Sequence, residues 1–245
     1  MNTRIEHLVS WIQKEVKDAG MKGALVGVSG GIDSAVVANL IQRAFPDNSL
    51  GVVLPINQRV EDQEDALAVI EEAGLKYKGI ELTESYKTIY REIQDQLKDE
   101  WNEDAEQLNG ANLQARLRMS TLYSVAANYN YLVVGTDNAA EHHTGYFTKY
   151  GDGGVDLVPL IHMTKGEVRE MARYLGVPSQ VVEKNPSAEL WEGQSDEEEM
   201  GVSYDTIDAY LKGEDIPQED KKKIDEMHAR TKHKRLTPAE PPEFE

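Results

Sequence analysis

Residues 29–34, Ser-Gly-Gly-Ile-Asp-Ser, follow a short apolar run and precede a pattern of apolar residues that is typical of a helix. Two adjacent glycines let a ligand approach the backbone closely, and the free N–H groups at a helix start attract phosphate. Ser29 and Ser34 add hydroxyl donors, whereas the Asp33 carboxylate would repel phosphate unless Mg²⁺ lay between them. The stretch therefore predicts a phosphate-binding loop with Asp33 as a magnesium ligand. A tight turn in which Asp33 or Ser34 caps the helix is the alternative.

A second polar segment, residues 135–160, follows another apolar run and contains many glycines with little periodicity. Its polar side chains include Thr136, Glu141, Lys149, Asp152 and Asp156. Glu141 alone could be a solvated carboxylate, but together with Asp33 it would give one divalent cation two oxygen ligands. The segment is too long to be a mere connector, so we predict an ordered functional loop.

The elements that must position these residues alternate along the chain. We predict strands at 24–28, 50–54, 77–82 and 131–135, and helices at 34–45, 61–73, 84–97, 112–128, 164–175, 203–211 and 217–230. This alternation predicts an α/β fold, a doubly wound parallel sheet covered by helices on both faces. Ligands of such sheets lie beyond the carboxyl ends of the strands, where both polar segments begin. Residues 136–162 and 185–202 are predicted as loops.

Composition limits the class of protein. The 245 residues carry a formal net charge of −18 and no cysteine. The acidic excess opposes binding to nucleic acid, and the absence of cysteine excludes disulfides, thiolate metal sites and cysteine nucleophiles. The sequence lacks the apolar stretches of a membrane span or a signal peptide. We expect a cytoplasmic protein that forms one domain over residues 1–245.

Two familiar phosphate loops do not fit residues 29–34. No lysine follows the glycines, as a Walker A loop requires, and Gly27, Gly30 and Gly31 lack the Rossmann spacing. The pattern S-G-G-x-D-S instead resembles the loop of the ATP pyrophosphatase superfamily, whose members cleave ATP between the α and β phosphates and adenylate a substrate. Within that superfamily, GTDNAAEHHTGYFTKYGDGGVD resembles the signature of the NAD synthetases. The similarity continues through KNPSAELWEGQSDEEEMGVSY and Thr-Lys-His-Lys-Arg, and covers nearly the whole chain from Gly23 onward.

This resemblance implies a Rossmann-like fold of the ATP pyrophosphatase type and the ATP-dependent amidation of deamido-NAD to NAD. The reaction would pass through an acyl-adenylate and release AMP and pyrophosphate, with Mg²⁺ assisting. Some NAD synthetases carry an amidase domain that frees ammonia from glutamine through a cysteine. This chain is too short for that domain and has no cysteine, so free ammonia is implied as the donor unless a separate subunit delivers it. The family builds its substrate site at a homodimer interface, so a homodimer is expected.

The resemblance also carries roles over to individual residues. The ATP phosphates would be bound by Gly27, Val28, Ser29, Gly30, Gly31, Ile32, Asp33 and Ser34. Further ATP contacts fall on Thr136, Lys165 and Ser187, and the metal ligands are Asp33 and Glu141. Deamido-NAD contacts fall on Arg116, Lys149, Asp156, His233 and Lys234. Lys165 would stabilise charge on the pyrophosphate, and Asp152 would take a proton from ammonium or the attacking amine.

Other interpretations stay open. The enzyme could be another adenylating pyrophosphatase, of the GMP synthetase or tRNA-thiolating kind, or a non-catalytic adenine-nucleotide-binding protein. Lys149 and Lys165 could be ordinary surface lysines, and residues 231–235 a basic surface patch. The adjacent His142 and His143 are interpreted as structural or surface residues rather than a metal pair.

Overall fold

Four parallel strands form the sheet of the computed structural model, which describes residues 1–187 and 195–243. They are β1 (Gly23–Gly27), β2 (Ser49–Val53), β3 (Tyr77–Gly79) and β4 (Tyr131–Val133). Their order is β3-β2-β1-β4, with Ala24 beside Ser49 on one side and beside Leu132 on the other. The chain winds outward from β1 through β2 to β3 and then returns to the opposite side of β1. The topological switch point therefore lies between β1 and β4, where doubly wound folds bind ligands.

Helices connect and cover the strands. They are α1 (Asn2–Asp18), α2 (Ile32–Ala44), α3 (Val60–Ala73), α4 (Thr83–Leu97), α5 (Glu106–Tyr129), α6 (Ala139–Thr144), α7 (Lys165–Leu175), α8 (Ser179–Val182), α9 (Asp196–Met200), α10 (Tyr204–Leu211) and α11 (Gln218–Arg230). Short 3₁₀ helices occur at Lys98–Glu100, Glu103–Ala105 and Lys232–Lys234. In the ranges that the structure describes, no helix combines the length and the apolar character needed to cross a membrane.

Side chains of β1 alternate between two hydrophobic clusters, as the pleat of a strand requires. Ala24 and Val26 pack with residues of α1, α2, α3 and α7 on one face. Leu25 packs on the other face with residues of α4 and α5, among them Leu122. The predicted doubly wound parallel sheet with helices on both faces is therefore confirmed.

A third cluster joins α6, α9, α10 and α11 beside the switch point. Tyr204 and Ile207 of α10 are fully buried in it, together with Ile224 of α11. This layer has no strand of its own among the described residues, and it packs on the chain that follows β4. This layer faces the loop between β1 and α2 across the switch point.

Several predicted boundaries were wrong. Helix α5 begins at Glu106 and not at 112, so Gly110 lies within the helix rather than before it. An added Cβ at Gly110 would be 2.8 Å from the Tyr86 hydroxyl of α4. Close packing on α4 thus explains a glycine that interrupts the helical pattern. Helices α6 and α9 lie in segments predicted as loops, and α8 was not predicted; each has six residues or fewer, which is too short to give a periodic signal.

Candidate active site

A cavity of about 820 Å³ opens at the carboxyl ends of β1 and β4. Its volume is within the range of small-molecule sites. Most of the predicted site residues line it, namely Gly27, Val28, Ser29, Gly31, Ile32, Asp33, Ser34, Thr136, Glu141, Asp152, Lys165, Ser187, His233 and Lys234. The predicted residues that do not line it are Gly30, Arg116, Lys149 and Asp156. Residues far apart in the sequence thus meet at the predicted edge of the sheet.

The loop between β1 and α2 is held by its own serines. The Gly31 N–H donates to Ser29 Oγ at 3.1 Å, and Ser34 Oγ donates to the Gly31 carbonyl at 2.9 Å. Gly30 has φ +93°, and a Cβ there would lie 2.7 Å from the Asp62 carbonyl oxygen, so only glycine fits. The N-cap of α2 is Gly31 with no side-chain bond, so the alternative in which Asp33 or Ser34 caps the helix is wrong. The N–H groups of the first turn of α2 are left for a ligand.

Lys165 joins the two predicted metal ligands at the centre of the cavity. Its Nζ lies 2.6 Å from Asp33 Oδ2 and 3.2 Å from Glu141 Oε1. All three side chains are largely buried, with exposed fractions of 4% for Lys165, 16% for Asp33 and 14% for Glu141. The alternative of a surface lysine is therefore wrong for Lys165. An ammonium between two buried carboxylates indicates that this pair requires a cation.

Three helix starts bring these groups together. Asp33 is in the first turn of α2, Glu141 is in the first turn of α6, and Lys165 is the first residue of α7. Asn138 caps α6 in a capping box with Glu141, and its Nδ2 also donates to Asp33 Oδ1 at 2.9 Å. A cation at the start of a helix is unfavourable because the helix dipole is positive there. At the start of α7 the negative charge of Asp208 compensates, and its carboxylate accepts from the Lys165 N–H at 3.0 Å.

Burial and mutual charge shift the ionisation of this centre. Burial raises the pKa of Glu141 above its usual range, although the nearby Lys165 ammonium works in the opposite direction. Burial disfavours the charged form of Lys165, but the charges of Asp33 and Glu141 outweigh it and raise the lysine pKa. Lys165 is therefore an ammonium at neutral pH, able to face anionic groups in the cavity.

The predicted substrate residues lie on and behind the opposite wall. Arg116 donates to the Lys149 carbonyl at 3.4 Å, and Lys149 Nζ donates to the His233 carbonyl at 2.7 Å. Lys234 Nζ donates to the Gly145 carbonyl at 2.8 Å. Residues 231–235 thus pack against the loop after α6, but Lys232 and His233 are exposed, so the alternative of a basic surface patch stays open. Arg118, which was not among the predicted site residues, lines the cavity instead of Arg116.

Asp152 and Asp156 have different surroundings. Asp152 faces the cavity, and its Oδ1 accepts from the Thr148 N–H at 3.0 Å. Asp156 accepts from the Tyr123 hydroxyl at 2.9 Å and from the Val133 N–H at 2.8 Å. Asp156 therefore ties the loop to β4, whereas Asp152 is available to a bound ligand.

Sequence reasoning missed a set of polar residues around this centre. The Tyr204 hydroxyl lies 3.1 Å from Glu141 Oε1 and 3.2 Å from Asp196 Oδ2, and the Tyr204 ring lies 4.6 Å from Lys165 Nζ. The Tyr146 hydroxyl contacts Asp196 and Glu199 at 3.0 and 2.7 Å. A capping-box pattern, Asn followed three residues later by Glu, could have signalled Asn138, but Tyr204 has no local signal.

The two adjacent histidines have separate neighbours. His143 stacks on His228 with ring centroids 4.2 Å apart, whereas His142 lies 6.3 Å from the Phe147 ring. Burial lowers the pKa of His143 to about 4, so this ring is neutral near pH 7. No group of three His, Cys, Asp or Glu side chains that could hold a metal ion occurs in residues 1–187 or 195–243.

The glycine loop at the β1–α2 crossover carries Asp33, and Glu141 and Lys165 face it across the switch point. This arrangement and the sheet topology define an α/β protein of the ATP pyrophosphatase fold. The chain is a member of the NAD synthase family, whose model matches residues 4–238. The resemblance to the NAD synthetases that was inferred from residues 135–156 and the later matching segments is therefore confirmed.

Similar proteins match this chain over nearly its whole length. The NH(3)-dependent NAD(+) synthetase of Alkaliphilus oremlandii is 54% identical over 97% of this chain and 96% of its own length. The solved NMN synthetase of Francisella tularensis is 37% identical with a TM-score of 0.92, covering 99% of this chain and 98% of that one. The solved NH3-dependent NAD synthetase of Campylobacter jejuni is 28% identical with a TM-score of 0.78, covering 98% of both.

Proposed function

We propose that this chain amidates deamido-NAD to NAD with free ammonia, using ATP and releasing AMP and pyrophosphate. The observation that carries the proposal is that Lys165 and Glu141 meet Asp33 of the glycine loop in one cavity. The 54% identical relative is an NH(3)-dependent NAD(+) synthetase, which supports ammonia as the donor. We also propose that residues 1–245 act as one domain, because the cavity is lined by residues from Gly27 to Lys234.

ATP would be bound with its phosphates at the start of α2. The N–H groups there have no helical partner, and the helix dipole favours an anion. Ser29 and Ser34 form hydrogen bonds within the loop and would hold it in the shape that presents these groups to the phosphates. Thr136 and Ser187 line the same cavity and would contact other parts of the nucleotide.

Asp33 and Glu141 would hold Mg²⁺. Magnesium in phosphate-transfer sites is bound through one or two carboxylates, with phosphate oxygens and water as the other ligands. These two carboxylates already share one cation, the Lys165 ammonium, so the donor set fits the ion. When bound, the metal would supply charge stabilisation at the phosphates.

The residues of this chain would prepare and complete the amidation. The carboxylate of deamido-NAD attacks the α phosphate and becomes an acyl-adenylate, while Lys165 stabilises the charge on the departing pyrophosphate. Asp152, which faces the cavity, takes a proton from the nitrogen nucleophile. Holding the reactants in one enclosed site supplies much of the rate.

Deamido-NAD would be bound on the opposite wall. Arg116, Lys149, His233 and Lys234 form a contiguous basic region, and Lys149 and Lys234 donate to backbone carbonyls. An anionic dinucleotide would offer these cations stronger partners than carbonyl oxygens. Asp156 would act at the base of this wall, where it bonds to β4.

We propose that a second copy of the chain completes this site. Helix α4 has no buried residue, and its Ile89, Ile93 and Leu97 are exposed with Leu108 of α5 nearby in the sequence. Exposed apolar side chains grouped on one pair of helices are typical of a subunit interface. An isologous dimer would bury this surface on both copies. Light scattering should give twice the 27.4 kDa chain mass.

The amidation of the mononucleotide, to give NMN, is a second candidate. It is favoured by one observation: the superposition on an NMN synthetase reaches a TM-score of 0.92, against 0.78 for the Campylobacter NAD synthetase. The chemistry at Lys165 and Asp152 would be the same. The two candidates differ only in whether the adenylate half of the dinucleotide contributes binding energy.

One assay separates these functions. The purified protein is incubated with ATP, Mg²⁺ and ammonium, together with deamido-NAD or its mononucleotide, and NAD, NMN and pyrophosphate are measured. We expect NAD and pyrophosphate in equal amounts and little product when glutamine replaces ammonium. A higher kcat/KM for the mononucleotide would favour NMN synthesis. ATP binding without pyrophosphate release would contradict both.

A further inference from the structure

One buried carboxylate in the cavity has no partner. Asp137 is 8% exposed and lines the cavity. Among the described residues it forms no hydrogen bond and no ion pair, although nearly all other buried polar side chains do. Its oxygens are not among the fully enclosed polar atoms that lack a partner, so they are open to the cavity, where a bound group could pair with them.

The surroundings of Asp137 favour the uptake of a cation. The negative charges of Asp152, Glu141 and Asp33 act on it, and the charge of Lys234 opposes them. Lys234 itself donates to the Gly145 and Phe147 carbonyls. Burial first, and then the charge of Asp152, raises the pKa of Asp137 well above its usual range. A carboxyl in this state takes up either a proton or a small cation from the cavity.

The cation proposed for Asp137 is distinct from the proposed magnesium ion. Asp33 and Glu141 already form the proposed magnesium pair, and they share Lys165 rather than Asp137. Two carboxylates, Asp137 and Asp152, suit a monovalent cation that donates hydrogen bonds.

We propose that Asp137 is a binding residue for the nitrogen donor and holds ammonium against Asp152 in the cavity. This inference rests on the proposed function, because ammonia is present in neutral water mainly as ammonium. Ammonium passes one proton to Asp152, and the resulting ammonia attacks the acyl carbon to form the C–N bond. The C–O bond to AMP breaks, with its electron pair leaving on the phosphate oxygen. The amide nitrogen loses its second proton to water.

The test is Asp137→Asn, which keeps the shape of the side chain and removes its charge. The KM for ammonium should rise by about tenfold or more, since hydrogen bonds to charged groups contribute that much. The KM values for ATP and the nucleotide substrate should stay within about twofold. Asp18→Asn, the same change at an exposed site on α1, is the control and should leave all three constants unchanged.

Hydroxylamine separates cation binding from a structural effect. It is largely uncharged at neutral pH and can attack the same acyl-adenylate to give a hydroxamate. If Asp137 holds a cation, Asp137→Asn should lose efficiency with ammonium but keep it with hydroxylamine. Equal losses with both nucleophiles, or an unchanged KM for ammonium, would overturn the proposal. Absence of pyrophosphate from the unchanged protein with either nucleophile would instead contradict the proposed function.

A second measurement covers the case in which the variant does not fold. Crystals of the unchanged protein are soaked in rubidium chloride, because Rb⁺ is close to ammonium in size and is visible by anomalous scattering. We expect a rubidium peak in contact with Asp137 and Asp152. A saturating soak that leaves these carboxylates without a peak would refute the cation site.

Discussion

Replacing Lys165 with methionine tests the electrostatic account of the active site most directly. The change keeps a flexible side chain of similar length and removes the ammonium 2.6 Å from Asp33 and 3.2 Å from Glu141. Removal of one partner from a buried ion pair costs about 3–5 kcal/mol, because the other charge stays buried. Asp33 would keep its bond from Asn138, and Glu141 its contact with the Tyr204 hydroxyl. We therefore expect the lower end, a loss of about 3 kcal/mol in the free energy of unfolding.

The loss of stability in Lys165→Met should depend on pH, because it changes the pKa of Glu141. Burial raises the pKa of Glu141 in the folded state, and Lys165 is the main group that lowers it. Without Lys165 the folded-state pKa rises further above the unfolded value. The stability that comes from protonation of Glu141 is present at low pH and is lost as pH rises through the folded pKa. The Lys165→Met variant should therefore be weakest at alkaline pH and recover in mild acid.

The assay is urea denaturation of the metal-free protein at several pH values, with the slope m compared between variants. Lys14→Met is the matched control, because Lys14 pairs with Asp18 at an exposed site and its removal should change stability little. A loss that is the same at every pH would contradict the assignment of buried carboxylates. So would a loss no larger than that of the control. Turnover of Lys165→Met should fall far more than its affinity for the dinucleotide.

Other substitutions test the loop and the wall of the cavity. Tyr204→Phe should raise the Mg²⁺ concentration for half-maximal activity about tenfold, because it removes a hydroxyl from Glu141 but keeps the ring. Calorimetric titration of Mg²⁺ with a non-hydrolysable ATP analogue checks this, and Tyr210→Phe on the same helix should leave the value unchanged. Gly30→Ala should weaken ATP binding about tenfold or more, since its φ of +93° and the Asp62 carbonyl exclude a Cβ. An unchanged ATP Kd would contradict the assigned loop geometry.

The sequence predicted β1, β2 and β4 because apolar buried strands have a strong local signature, whereas β3 is exposed and ends at Gly79 rather than at 82. Strand β1 is buried along nearly its whole length, and the S-G-G-x-D-S loop follows it directly. Asp33 and Glu141 could be paired in advance because each follows a parallel strand, and parallel strands end at one edge of the sheet. Lys165 was assigned to the site only through the family resemblance, because a single lysine at a helix start does not indicate a function.

The rest depended on contacts that a linear sequence does not contain. Tyr204 becomes part of the active site only because α10 packs against α6, and its neighbours in the chain do not indicate this. Asp137 was passed over beside Thr136 and Glu141, because burial without a partner is a property of the folded chain. Ser187 lines the cavity, and its predicted contact with ATP stays a prediction, whereas residues 188–194 lie outside the described residues.

The cavity draws its residues from two stretches of the polypeptide. The phosphate loop and Lys165 precede α8, whereas Tyr204 and Lys234 follow α9. Two polypeptides divided between α8 and α9 would each carry half of a catalyst and neither would be active alone. Fused to a pair of interacting proteins, such halves would form a split reporter whose output is a dinucleotide, made only when the partners meet.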